Sequence, residues 1–197
     1  GVPGAFTSMI GKTLLDQIVK QENYRDPGAI LDVLEERFQR WMVHSAADGW
    51  QEGMDMVLCA LDKNHQRLSF AGAHRPVLLL RNEEVLEWRT DRRPIGGSSR
   101  YKRPPFCEQS IELQPEDQLY LFTDGYTDQM GGPEYRKFKH GRFHRHLLKH
   151  RHLPMAQQLK SLSRQFRSWK GDYRQMDDIL VLGLRIEPVP DPIPIVS

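Results

Sequence analysis

The sequence predicts an α+β fold in which helices cover the faces of antiparallel sheet. Three observations carry this expectation. Two helical stretches with apolar periodicity stand at the start and two more stand late, while runs of β-formers lie between and after them. Most links between those runs are a few residues long, whereas parallel neighbours would need crossovers of a dozen or more.

The first helical stretch follows Gly1-Val-Pro-Gly-Ala-Phe6. Phe6, Ile10, Leu14 and Ile18 recur every four residues, and Met9 and Leu15 lie on the same side, which gives one apolar face. Unpaired N–H groups in a glycine-rich lead before a helix can bind an anion or a metal; the same lead also suits a trimmed end. Residues 23–28 carry turn chemistry, and a second helix follows with Leu31, Leu34, Phe38, Trp41 and Met42 at spacings of three and four. Residues 46–53 break the pattern. Strands are then expected over 54–61, 68–71, 77–80 and 85–88, joined by short turns in the manner of a meander. Residues 90–105 form the longest stretch without a pattern, and such a loop in a compact domain is more often functional or mobile than neutral. A strand over 106–113 and a buried strand over 119–122 come next. Helices over about 143–150 and 154–170 and a last strand from Ile179 complete the domain. Residues 188–197 are proline-rich and read as an extended tail.

Composition narrows the function. A chain of 197 residues with 39% hydrophobic and 27% charged residues suits one globular domain, read here as residues 1–187. A net charge of +2, with acidic and basic residues interspersed, argues against nucleic-acid binding. No apolar run is long enough to cross a bilayer and no signal peptide is visible. Cys59 and Cys107 read as two buried thiols in a reducing compartment, which favours the cytoplasm, whether as a free protein or as the cytoplasmic part of a membrane-anchored one.

Two acidic motifs organise the chemistry. Thr123-Asp124-Gly125 closes the strand over 119–122, so a carboxylate stands where glycine lets the backbone turn. Asp177-Asp178 immediately precedes the last strand. Antiparallel pairing of these two strands would bring Asp124 beside Asp177, and carboxylates that close need a cation between them. A hard divalent ion is the natural candidate.

Six segments in order, Gly1-Val-Pro-Gly-Ala-Phe6, Gly53-Met-Asp-Met56, Phe70-Ala-Gly-Ala-His-Arg-Pro76, Pro94-Ile-Gly96, Thr123-Asp-Gly125 and Asp177-Asp178, resemble the bacterial SpoIIE/RsbU-type branch of the PP2C (PPM) serine/threonine phosphatases. The resemblance runs from the first residue to about Ile186. It implies a PP2C-like αββα sandwich of two antiparallel sheets flanked by helices, with two Mn²⁺ or Mg²⁺ ions at one end. Those ions would activate a water nucleophile and hold the phosphate, so no serine, cysteine or histidine nucleophile is required. By position Asp124 and Asp177 match the catalytic metal ligands, and Asp178 either joins them or begins the strand. In the family an aspartate and a Gly-His-Gly run precede Val-Pro-Gly-Ala. Gly1 would be the last glycine of that run, so the resemblance implies that the first metal motif and first strands lie upstream. The expected substrate is a phosphoserine or phosphothreonine protein such as a STAS-type anti-sigma-factor antagonist in a partner-switching pathway. An upstream sensor or receiver module, and homodimerisation, are further expectations. The alternative is a catalytically inactive phosphatase-fold domain that binds a phosphoprotein or dimerises. A nucleotide-binding kinase is disfavoured because no phosphate-binding glycine loop is present.

Other polar residues have plainer readings. Asp55, within an apolar run, reads as structural or as facing the opposite side of the sheet. His74-Arg75 is either a phosphate contact or a structural turn. His140, His144, His146, His150 and His152 fall in a basic helical stretch with no acidic ligand beside them in sequence, and read as a solvated cationic face rather than a zinc site.

Overall fold

The structure, a computed structural model, describes residues 2–45, 53–62, 66–97 and 103–187. The chain divides into two units, residues 1–76 with 89–112 and residues 77–88 with 113–197. The proline-rich tail lies outside the described residues, as do residues 46–52, 63–65 and 98–102.

In the first unit, helix α1 (Val2–Asp16) runs into a π-helical turn, Gln17–Gln21. The turn ends where Arg37 grips Glu22 through two bonds of 2.7 Å and Asn23 adopts a positive φ of 62°. Helix α2 (Pro27–Ser45) starts with proline at its first position, where no N–H is required, and the Asp26 carboxylate accepts from Ala29 N at 3.0 Å. Strands β1 (Gly53–Met54), β2 (Met56–Asp62) and β3 (Arg67–Ala73) follow, with β6 (Ile95–Gly96) and β7 (Gln109–Glu112) later in the chain. β2, β3 and β7 make an antiparallel sheet, and β1 pairs separately with β6. Ile18, Leu31, Leu34, Phe38, Ala71, Ala73 and Ile95 form the core between helices and sheet. The apolar face of α1 is only partly used. Ile10, Leu14 and Leu15 pack on this core, but Phe6 and Met9 are exposed.

The second unit begins with a hairpin, β4 (Val77–Arg81) and β5 (Glu84–Trp88). It continues with β8 (Gln118–Phe122), the one-turn helix α3 (Asp124–Thr127), a two-residue hairpin of β9 (Met130–Gly131) and β10 (Arg136–Lys137), helices α4 (His140–His150) and α5 (Met155–Lys170), and β11 (Val181–Arg185). Its sheet has the order β11-β8-β4-β5, with every neighbouring pair antiparallel. Leu78, Leu80, Tyr120, Phe122, Tyr126, Phe138, Phe143, Leu147 and Leu162 make its core. Val77 and Leu79, on the other face of β4, are also fully buried, which explains why this strand reads as a continuous apolar run. A buried amide network ties sheet to helices. The Tyr120 hydroxyl sits between the side chains of Gln118 and Gln158, and Gln158 Nε2 donates to Gln118 Oε1 at 2.9 Å and to Leu153 O at 3.0 Å.

The structure corrects three expectations. The strands do not form one meander, because β3 and β4 belong to different sheets. The link between them is held in the first unit: His74 takes a φ of 61°, its N–H bonds to Asp91 O at 2.8 Å, and Pro76 has no N–H to continue a ladder. The expected strand over 106–113 shortens to β7, because Phe106 N and Cys107 N are taken by the Asp32 and Asp91 carboxylates at 2.8 and 2.9 Å. Neither cysteine is fully buried as expected: Cys107 is exposed and Cys59 is half-buried, its thiol pushed up to about 12 by burial. Among the described residues, no helix is long and apolar enough to cross a membrane.

Candidate active site

β8 is buried along most of its length and stops at Phe122. Thr123 stays extended, with φ −89° and ψ 160°, and Asp124 opens α3. The chain turns there because Asp128 N and the Thr127 hydroxyl both bond back to Asp124 O, at 2.7 and 3.2 Å. Tyr126 pins the turn to α5 through a bond from its hydroxyl to Leu162 O at 2.9 Å, and burial holds that phenol well above its ordinary value.

The second acidic motif is clamped to the first by backbone and hydroxyl contacts. β11 pairs with β8 in the register Val181↔Phe122, so the residues before Val181 run beside Thr123 and Gly125. The Thr123 hydroxyl donates to Asp178 O at 3.2 Å and accepts from Leu180 N at 3.0 Å, while Thr123 N donates to Leu180 O at 3.0 Å. Leu180 therefore spends its N–H on a side chain, and the ladder starts at Val181 rather than Ile179. Gly125 lies directly under this segment, and a Cβ added there would stand 2.2 Å from Asp178 O. Only glycine admits so close an approach. The upstream end of the same loop is fixed by the buried Gln129, which accepts from Met176 N at 3.2 Å and donates to Arg174 O at 3.0 Å.

Asp124, half-buried, and Asp177 and Asp178, both exposed, thus stand on two segments that share one backbone interface. Asp177 Oδ1 accepts from Asp178 N at 2.7 Å, which orients that carboxylate. Neither Asp177 nor Asp178 enters an ion pair among the described residues. Among the described residues the three side chains do not gather within 4.8 Å of one another; each offers oxygen alone, the donor class a hard divalent cation takes.

The other candidates belong to the first unit. Asp55 accepts from His74 Nδ1 at 2.9 Å and from Arg75 at 3.0 Å, which ties the residue between β1 and β2 to the link that follows β3. Arg93 and Arg103 both reach the Glu35 carboxylate on α2, Arg103 at 2.8 Å. The long loop is thereby tied to that helix, a role its sequence did not disclose.

A family profile described as Stage II sporulation protein E (SpoIIE) matches residues 1–187. The chain belongs to the SpoIIE family. Among solved structures, the SiaA PP2C domain of Pseudomonas aeruginosa is 31% identical, with a TM-score of 0.82 over 95% of this chain and 72% of that one. The RsbU and RsbW domains of a Mycobacterium tuberculosis protein match at 20% identity and a TM-score of 0.71, over 96% of this chain and 51% of theirs. A Bacillus subtilis SpoIIE structure, holding the PP2C phosphatase domain and a fragment of the regulatory domain, matches at 18% and 0.69, over 95% of this chain and 50% of that one. At those identities the last two bear on the fold alone. No curated protein matches the sequence. This SpoIIE-family chain is thus a PP2C-type phosphatase domain by fold and family, with the mixed helices and antiparallel sheets that its sequence predicts.

Proposed function

We propose that this SpoIIE-family domain is a metal-dependent protein serine/threonine phosphatase of a bacterial signalling protein. Its substrate is the phosphoserine or phosphothreonine of a partner, with a STAS-type anti-sigma-factor antagonist the leading class. The observation that carries the reading is the clamp between Thr123-Asp124-Gly125 and Asp177-Asp178, because it sets acidic side chains from two strand ends on a common rigid base. Asp124 and Asp177 are the metal ligands, joined by Asp178. Mn²⁺ or Mg²⁺ bound there would supply a water of lowered pKa and charge neutralisation on the phosphoryl group. The chain's own contribution is positional. The Thr123 hydroxyl fixes the spacing of the two segments, Gly125 permits it, and Gln129 keeps the second loop from swinging away. Catalysis of this kind depends on such pre-set geometry more than on a protein nucleophile. A cytoplasmic location, where phosphorylated signalling proteins and free Mg²⁺ are found, and control by a further module of the same polypeptide belong to the same proposal.

The test is hydrolysis of a phosphoserine protein by the full-length gene product, with Mn²⁺ added or chelated. Asp124→Asn and Asp177→Asn should each lower Mn²⁺-dependent turnover by at least about 10²-fold while leaving the circular dichroism spectrum unchanged. Retained turnover in either variant, or turnover that survives chelation, overturns the assignment. A folded protein with no turnover on any phosphoprotein supports a binding domain instead.

A further inference from the structure

Helix α4 exposes a cluster that the proposed phosphatase chemistry does not use. His140 and His144 are one helical turn apart, on the side of α4 that meets the edge strand β5. Glu87 of β5, distant from both in sequence, lies with them, and one ligand atom from each of the three falls within 4.8 Å of the others. His144 Nε2 stands 3.5 Å from the Glu87 carboxylate. That nitrogen is buried and has no hydrogen-bond partner, an uncommon and costly state for a polar atom.

We propose that Glu87, His140 and His144 form a binding site for Zn²⁺, separate from the aspartate site and independent of the phosphatase reading. Two imidazoles at i and i+4 with one carboxylate are a donor set that suits zinc, and three protein ligands leave a fourth position for water. Ligand atoms about 2.0–2.2 Å from a tetrahedral ion stand roughly 3.3–3.6 Å apart. The His144–Glu87 pair already has that spacing, and the exposed His140 ring stands edge-on to His144 with centroids 6.0 Å apart and to Phe122 at 5.6 Å. Arg142 of the same helix is turned elsewhere: it lies over the Trp169 ring at 4.6 Å and donates to Phe138 O at 3.1 Å. The remaining α4 histidines are engaged otherwise. His146 Nε2 is 3.1 Å from the Ser161 hydroxyl, and His150 Nδ1 meets His146 O at 2.8 Å. Ligand class keeps the two sites apart, since imidazole nitrogen draws zinc while an all-carboxylate set suits Mn²⁺ or Mg²⁺.

Equilibrium dialysis of the full-length protein against Zn²⁺, at a fixed excess of Mg²⁺, tests the site. One zinc per chain with micromolar or tighter affinity is expected, weakened at least tenfold in His140→Ala and in Glu87→Gln and unchanged in His150→Ala and Asp124→Asn. Both diagnostic side chains are partly exposed, so those variants should fold. A Co²⁺-loaded sample should show the intense visible bands of a four-coordinate ion, and His140→Ala should lose them. Zinc binding that survives both His140→Ala and Glu87→Gln, that disappears in Asp124→Asn, or that is absent from the wild type overturns the proposal.

Discussion

Gly125 and Asp32 are single residues whose surroundings decide what a substitution would do. At Gly125 the obstacle is a carbonyl oxygen of the neighbouring segment, which no rotamer change can move aside. Gly125→Ala should therefore push residues 177–178 away from Asp124. The expected result is a loss of about 1–3 kcal/mol in urea unfolding together with weaker Mn²⁺ binding by calorimetry. Asp32 poses an electrostatic case. Its carboxylate accepts from Phe106 N, yet burial outweighs that bond and raises its pKa above the ordinary 3.8. A raised carboxylate pKa favours folding most fully below the ordinary value, and that advantage is lost as pH rises through the folded value. At neutral pH the ionised group is a liability. Asp32→Asn keeps an acceptor for Phe106 N and should melt higher than wild type at pH 7, with the difference closing as pH falls toward 3.8. A constant difference across that range would show that the ionisation is not the cause.

At the scale of elements, the sheet–helix joint of the second unit rests on the buried amides of Gln118 and Gln158. Gln158→Leu would remove one donor each from Gln118 Oε1, which keeps the Tyr120 hydroxyl, and from the Leu153 carbonyl, which keeps Arg185, and should lower stability by about 0.5–1.5 kcal/mol in thermal or urea melts without altering metal binding. The same scale shows what the sequence could reveal. The first helix pair was readable because its apolar spacing matches the 3.6-residue period, and β4 and β8 because each is a dense run of β-formers. Thr123-Asp124-Gly125 and Asp177-Asp178 were readable as strand-end carboxylates, and their antiparallel strands do pair. The short β1, β6, β9 and β10 were not, since two residues carry no periodicity. Nor was the early end of the strand before β8, where Asp32 and Asp91 take over the backbone N–H groups from far along the chain. Glu87 escaped notice for the same reason. A carboxylate brought to two histidines by sheet topology leaves no trace in local spacing.

For the molecule as a whole, the governing fact is that neither unit is a continuous stretch of chain. β4 sits inside the second sheet between β8 and β5, although its residues leave and rejoin the chain of the first unit. Residues 113–187 expressed alone would present β8 with an open edge and uncover Tyr120 and Phe122. This fragment should give the amide spectrum and circular dichroism of an unfolded chain, and a cooperative melt from it would refute the reasoning.

That interleaving also sets a schedule. During synthesis the β4–β5 hairpin emerges before β8 and long before β11, so the two buried faces of β4 wait on the order of seconds for partners at ordinary elongation rates. An isolated hairpin is at best marginally stable in water. The hairpin of residues 77–88 is therefore the stretch a nascent-chain chaperone would meet unprotected, and slow codons placed after it would lengthen that exposure.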